Sequence, residues 1–115
     1  MMELNGLNIE ISKGDTGSIR VTFTGQDVPE DGTIALVSVK SCANEEEPIW
    51  EKRIPVANAG CVIQLLHEDT SLPFGIYKWD LRLIYNDGGI YTPMKPAKFI
   101  VVERVGNAEV VMENG

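Results

Sequence analysis

The feature that most constrains this chain is the recurrence of apolar residues at every second position. The clearest case is the stretch 75–85, where apolar and aromatic residues alternate with charged ones. The apolar set is Tyr77, Trp79, Leu81, Leu83 and Tyr85, and the charged set is Lys78, Asp80 and Arg82. Because side chains of a strand point alternately to opposite faces, this period predicts a half-buried strand. The aromatic set is expected in the core and the charged set on the other face.

Shorter alternating runs recur along the chain and are separated by turn residues. Residues 7–11 and 19–23 alternate, whereas 33–40 is almost continuously apolar, which favours a central strand. Turn signals come about every ten residues, and no stretch has the period of a long helix. The sequence therefore predicts an all-β fold, an antiparallel immunoglobulin-like β-sandwich of about seven to nine short strands.

Three connections carry specific turn chemistry. Asn86-Asp87-Gly88-Gly89 predicts a hairpin with a tight primed turn, because these residues tolerate a positive φ. Pro93 and Pro96 interrupt the return strand and favour an edge or a kinked crossing. Asp69-Thr70 could cap a single helical turn.

Length and composition predict one domain. The chain has 115 residues, of which 43% are hydrophobic and 23% charged, as in ordinary globular proteins. We expect a single sandwich over residues 1–106 and a flexible tail over 107–115. The first residues lack the basic and apolar regions of a signal peptide, and no run approaches a membrane span. The expected location is the cytoplasm where the protein is made, with association with a virion left open.

The formal net charge of −7 disfavours two classes of partner, nucleic acids and anionic membranes, because both are negatively charged. Cys42 and Cys61 are too few for a disulfide framework or a zinc site, and no cofactor is predicted. Free, buried thiols in a reducing compartment are the favoured interpretation, and a single bridge is the alternative.

No residue pattern predicts catalysis. His67 is the only histidine, and no nucleophile motif accompanies it, so a structural or surface role is favoured and the protein is not expected to be an enzyme. Most carboxylates lie in turns, where aspartate is common for conformational reasons.

Three groups of residues remain as a candidate interaction surface. Their members are Lys78, Asp80 and Arg82, the loop residues Asp27, Glu30 and Asp31, and the run Glu45, Glu46 and Glu47. The first group suits either cross-strand ion pairs or an interface with a neighbouring subunit. The second suits turn chemistry, with calcium binding as the weaker alternative. The third is either a solvated loop tip or a patch that binds a basic partner.

The order of motifs in the second half of the chain resembles a known family. Asp69-Thr70, a short spacer, Gly75-Ile76-Tyr77-Lys78-Trp79-Asp80-Leu81, a glycine hairpin and a valine-rich last strand follow one another. Together with the opening Ile11-Ser12-Lys13-Gly14-Asp15-Thr16, this order resembles small β-sandwich proteins of tailed phages and prophages of Gram-positive bacteria. In particular it looks like the N-terminal domains of baseplate and receptor-binding-associated proteins.

The resemblance implies a non-enzymatic structural or assembly protein of a phage or prophage particle, a tail or baseplate accessory. Its implied partners are other virion or tail proteins and a second copy of the chain. A carbohydrate- or cell-surface-binding module is the alternative, and it requires exposed aromatic residues on a concave face. The Gly-x-Tyr segment is also similar to the strand of immunoglobulin domains whose tyrosine hydroxyl ties a loop to the sheet. Trp79 stands where those domains carry a disulfide cysteine, so no bridge between sheets is implied.

Overall fold

A computed structural model describes residues 2–5, 7–24, 28–42, 47–93 and 95–103. Over these residues the chain forms nine strands and one helical turn, and the predicted all-β fold class is confirmed. The elements are β1 (Met2–Asn5), β2 (Asn8–Ser12), β3 (Gly17–Thr22), β4 (Ile34–Lys40), β5 (Trp50–Pro55), β6 (Gly60–Leu65), α1 (His67–Thr70), β7 (Gly75–Ile84), β8 (Ile90–Tyr91) and β9 (Ala97–Val102). The expected tail, residues 107–115, lies outside the described residues.

The strands form two sheets. The larger has seven strands in the order β1-β2-β9-β7-β4-β5, with β8 paired to β7, and the smaller consists of β3 and β6. The expectation of purely antiparallel pairing is wrong at one place, because β2 and β9 run parallel. After β2 the chain crosses to the smaller sheet and forms β3, so β2 is free to lie beside the last strand. β4 lies between β7 and β5, which confirms its predicted central position.

The core lies between the two sheets and is filled by alternate residues of their strands. The larger sheet contributes Ile9, Ile11, Ala35, Val37, Val39, Trp79, Leu81, Leu83, Ala97, Phe99 and Val101, and the smaller contributes Ile19, Cys61, Ile63 and Leu65. The ring of Phe99 meets that of Trp50 edge to face, with centroids 6.0 Å apart. The sheets thus pack through one shared core, an arrangement compatible with an immunoglobulin-like sandwich.

Two side chains of β7 tie loops to the sheet. The Tyr77 hydroxyl donates a hydrogen bond to the Pro73 carbonyl at 2.6 Å. Two residues later, the buried Trp79 indole donates to the Leu7 carbonyl at 2.9 Å. The first contact is the loop-tethering bond that the likeness to immunoglobulin domains implies.

Replacing Tyr77 with phenylalanine should lower the free energy of unfolding by about 1 kcal/mol, because it removes this bond and keeps the ring. Urea unfolding followed by tryptophan fluorescence measures the change. Tyr91→Phe is the matched control, since Tyr91 is exposed and makes no hydrogen bond through its hydroxyl to any described residue. Equal effects of the two changes would contradict the assigned role of Tyr77.

The hairpin after β7 forms where predicted but with a different turn. Gly88 donates its N–H to the Tyr85 carbonyl, and Tyr85 donates to the Gly89 carbonyl, both at 2.9 Å. Gly88 alone of these loop residues has a positive φ, of 91°. The expectation of a primed turn here is therefore wrong, because one left-handed glycine after an ordinary turn closes the hairpin as a bulge.

A primed turn does occur between β5 and β6. Asn58 and Ala59 both have positive φ, of 55° and 61°, and Ala57 and Gly60 exchange backbone hydrogen bonds. Asp31 accepts a hydrogen bond from the Asn58 N–H at 3.0 Å, which ties the β3–β4 loop to this turn. Asp31, one of the residues predicted to form an interaction surface, thus binds the backbone of the neighbouring turn.

The predicted helical turn is present as α1 and fastens the β2–β3 turn. His67 Nδ1 lies 2.8 Å from the Gly14 carbonyl oxygen, which can only accept, so the contact assigns a proton to Nδ1. The Thr70 hydroxyl donates to the Asp15 carbonyl at 2.7 Å, and the Gly14 N–H donates to the Thr70 carbonyl. In these contacts His67 has a structural role.

Both cysteines are free, but they differ in exposure. Cys61 lies in the core, and its burial raises the pKa of its thiol. Cys42 is exposed, so the expectation that both thiols are buried is wrong for Cys42. The reason is that Cys42 lies in the loop after β4, which ends at Lys40, and not in a strand that packs on the core.

An alkylating reagent should therefore modify Cys42 within minutes in the native protein and leave Cys61 unmodified, because thiolates react and Cys61 is both protonated and covered. Mass spectrometry of the peptides before and after denaturation tests this. Equal labelling of both thiols in the native protein would contradict the packing of β6.

Among the described residues, none forms a helix of the length and apolar character needed to cross a membrane.

Candidate functional site

The charged residues of β7 lie on the surface of the larger sheet that faces away from the core. We call this surface the outer face. The side chains at alternate positions 76–84 of β7 point outward, whereas those of Trp79, Leu81 and Leu83 are buried. The structure thus places Lys78, Asp80 and Arg82 on one face, as the period predicts.

Strand register adds residues of the neighbouring strands to this face. Lys78 lies opposite Lys40 on β4 and opposite Lys98 on β9. These three residues form a line of positive charge across three strands, which we call the lysine row. Like charges directly opposite one another destabilise a sheet. The lysine row is therefore expected to lower the stability of the isolated chain.

The next two rows along the strands have opposite charge. Asp80 lies opposite Ser38, which pairs on its other side with Glu51 of β5 and donates to its carboxylate at 3.3 Å. This is the acidic row. Two residues farther, Arg82 and Arg53 flank Leu36 from either side and form the arginine row.

Apolar residues bound the charged rows at both ends of β7. At one end Ile84 lies between Ile34 and Ile90, and Ile90 is 67% exposed. At the other end Ile76 is 59% exposed and lies opposite Ile100, whose other neighbour is Glu10. The rows named here, on β2, β9, β7, β4 and β5, hold five cations and three carboxylates.

The register does not place opposite charges directly across from Lys78, Asp80 or Arg82. None of the three forms an ion pair within 4.0 Å with another residue of the described ranges, whereas Lys52 and Asp69 do, at 2.8 Å. Asp80 Oδ1 is buried and has no hydrogen-bond donor among the described residues. A buried acceptor without a donor is rare in native proteins and needs an explanation.

The acidic loop residues do not join the outer face. Glu30 lines a cleft at one end of the sheets, and Asp31 is bonded to the Asn58 backbone. Glu47 is exposed ahead of β5, whereas Asp27, Glu45 and Glu46 lie outside the described residues. Within the described ranges, no three His, Cys, Asp or Glu side chains are grouped as metal ligands would be.

The cleft, which we call the end cleft, opens between the β3–β4 loop and the β7–β8 hairpin and has a volume of about 930 Å³. Three aromatic side chains line it. Phe23 and Tyr85 are half-buried, and Tyr91 is 55% exposed. Glu30, Asn86 and Asp87 add polar groups, and the described residues of the lining include no Lys, Arg or His.

Sequence reasoning found the outward residues of β7 but missed those beside them. Lys40, Glu51, Arg53 and Lys98 each occupy an alternate polar position in their strand, so the sequence carries the signal of their face. It carries no signal of their register, which depends on long-range pairing.

Neither protein-family models nor the sequences of curated proteins match this chain.

Proposed function

We propose that this protein is a non-enzymatic structural or assembly protein that acts by protein–protein contacts through its outer face. The observation that carries the proposal is the set of charged rows at Lys78, Asp80 and Arg82. They sit on strands, their neighbours directly opposite do not neutralise them, and Asp80 Oδ1 has no donor among the residues that the structure describes. Charged rows suit specific docking, because like charges reject wrong partners.

The resemblance of the Gly75–Leu81 segment and its flanks to phage and prophage sandwich proteins gives the assembly its proposed setting. In that setting the protein is a tail or baseplate accessory, and its partners are other virion or tail proteins. The cations of the lysine and arginine rows favour a partner whose matching surface carries carboxylates.

A photo-crosslinking residue at Arg82 tests the proposal in the strain that encodes the protein. After induction of the prophage, particles are purified, irradiated and analysed by mass spectrometry. We expect the protein in the particles and a crosslink from position 82 to another protein chain. The control carries the same residue at Arg20, which is exposed on the smaller sheet, and should give no crosslink. Absence from purified particles would reject the phage setting, and the absence of any outer-face crosslink would reject assembly through this face.

The end cleft supports a second proposed function, binding of a carbohydrate or cell surface. Phe23, Tyr85 and Tyr91 offer aromatic surface on a concave site, and Asn86 and Asp87 offer polar groups near it. Sugar rings bind through such a combination of apolar faces and hydrogen bonds. Because the described lining carries the carboxylates of Glu30 and Asp87, a neutral glycan fits it better than an anionic one.

Titration with neutral cell-wall polysaccharide, followed by amide chemical shifts, tests this second function. We expect shifts confined to the end cleft, and a loss of binding of about 2- to 10-fold in Tyr91→Ala, as for loss of one stacking ring. Tyr77→Phe, outside the cleft, should bind as the wild type does. No shifts at saturating polysaccharide would reject the carbohydrate function.

A further inference from the structure

The end cleft has aromatic side chains on both of its walls. On the smaller sheet, the Phe23 N–H donates to the Ala59 carbonyl at 2.8 Å, which continues the β3–β6 pairing, and its ring packs against the core. On the larger sheet, Tyr91 lies opposite the buried Leu83, and Tyr85 occupies the next inward position of β7. Residues directly opposite in an antiparallel pair share a face, so both tyrosines lie on the face that meets the smaller sheet.

The two tyrosines are diagonal neighbours across the β7–β8 pair, because Tyr91 pairs with the residue two positions before Tyr85. Such neighbours lie about 7–8 Å apart, within reach of aromatic side chains. A cation is attracted to an aromatic face when it lies within about 6 Å of the ring centroid. A single cationic group in the cleft can therefore contact both rings.

The cleft is acidic as well as aromatic. Glu30 is exposed, and its side chain forms no ion pair or hydrogen bond with any described residue. Asp87 is held in the hairpin by the Gly89 N–H, which donates to its Oδ1 at 2.8 Å. By sequence, the stretches 23–33 and 85–94 contain four carboxylates and no Lys, Arg or His; the four are Asp27, Glu30, Asp31 and Asp87.

The rings of the cleft lack the cations that accompany aromatic rings elsewhere in the protein. Lys52 Nζ lies over the Trp50 ring at 5.4 Å from its centroid, and Lys13 Nζ lies over the Phe74 ring at 5.3 Å. No Lys or Arg of the described ranges lies over any of the three rings that line the cleft. Their electron-rich faces are therefore available to a cation from outside the chain.

We propose that the end cleft binds an organic cation whose ammonium nitrogen carries alkyl groups, as in choline. The methyl groups of such a cation offer apolar surface to the rings, and its charge is attracted by ring faces and carboxylates alike. An unalkylated ammonium is compact and strongly hydrated, so it gives up more hydration on contact with the rings. The inference goes beyond both proposed functions, because neither of them requires a charged ligand in the cleft.

The volume of the cleft, about 930 Å³, is that of a site for a whole small molecule rather than for one ammonium group. The cation can therefore be free or can be a substituent of a larger molecule such as a glycan. Both sources present the same chemistry to the aromatic rings, and the experiment below separates them.

A matched pair of ligands tests the inference on the wild-type protein. Choline is compared with its neutral analogue, in which a tert-butyl group replaces the trimethylammonium group, so that shape is kept and charge removed. We expect choline to shift the amide signals of the end cleft and the neutral analogue to bind about 10-fold more weakly. Added sodium chloride should weaken the binding of choline, because it screens the carboxylates.

Two variants divide the contributions of charge and ring. Glu30→Gln keeps the shape of the side chain and should weaken choline binding about 3-fold. Tyr91→Leu keeps an apolar side chain without a ring and should weaken it about 3- to 10-fold. The matched control is Glu68→Gln on α1, at the opposite end of the smaller sheet, and it should bind choline as the wild type does. All three positions are exposed, and circular dichroism verifies that the variants fold.

Equal binding of choline and its neutral analogue would overturn the cation site, as would the absence of any shift with choline. Neutral polysaccharide that binds while choline does not would reject the cation site and keep the carbohydrate function, and the opposite result would do the reverse. To separate the sources, a neutral polysaccharide is compared before and after trimethylammonium groups are attached. Tighter binding after attachment supports a cation carried by a glycan, whereas choline binding without that gain supports a free cation.

Discussion

Trp79→Ala is expected to lower the free energy of unfolding by about 3–5 kcal/mol. The indole is 5% exposed and belongs to the core cluster between the two sheets. Its removal leaves a cavity beside Phe99 and Val39 and leaves the Leu7 carbonyl without its donor. The loss is a large fraction of the roughly 5–15 kcal/mol by which ordinary domains are stable. Urea unfolding monitored by circular dichroism measures it.

Trp79→Phe separates the contribution of the ring's packing from that of the hydrogen bond to the Leu7 carbonyl. Phenylalanine keeps an aromatic ring in the core but cannot donate to Leu7, so we expect a loss of about 1–3 kcal/mol, smaller than that of alanine. Leu72→Ala, a partly buried residue packed against the same core, is a milder truncation for comparison. A Trp79→Ala protein within about 1 kcal/mol of the wild type would show that the indole does not join the sheets through the core.

The alternation around Trp79 is also the part of the fold that the sequence determines best. Period two identifies the faces of β7, because inward and outward positions differ in polarity residue by residue. It identifies no partner strand, since the pairing of β7 with β9 and β4 joins residues that are between 18 (Trp79 and Ala97) and 50 (Ile34 and Ile84) positions apart. The parallel contact of β2 with β9 and the lysine row therefore could not be derived from the sequence.

The structure of the loops also depends on long-range contacts that local sequence patterns do not show. Asp-Gly at 87–88 predicts a hairpin, but whether the turn is primed depends on how the flanking strands meet, and the structure closes it with a bulge at Gly88. The end cleft joins Phe23 to Tyr91, residues from distant parts of the chain. Local sequence patterns carry no information on which distant residues lie close together in the fold, so the sequence does not predict the cleft.

Asp69→Ala is the second change with a large expected effect, a loss of about 2–3 kcal/mol of unfolding free energy. The buried Asp69 carboxylate accepts a hydrogen bond from the Leu66 N–H at 2.7 Å and an ion-paired contact from Lys52 at 2.8 Å. The first contact is half of a capping box, in which the third helical residue holds the N-cap backbone. Alanine leaves both donors without an acceptor and loosens α1 from β5.

Asp69→Asn and Lys52→Met divide this effect. Asparagine keeps an acceptor for the Leu66 N–H and removes the charge. Lys52→Met removes the cation, which also lies over the Trp50 ring at 5.4 Å from its centroid. The Lys52 side chain is 22% exposed and reaches water, so we expect the ion pair to contribute less to the free energy of unfolding than the capping hydrogen bond does. Asp69→Asn should therefore lower the free energy of unfolding less than Asp69→Ala. The Trp50 indole should keep its bond to the Asp69 carbonyl, which no substitution removes. Urea unfolding of the three variants measures the division, and an Asn variant as unstable as the Ala variant would assign the effect to the ion pair instead of the cap.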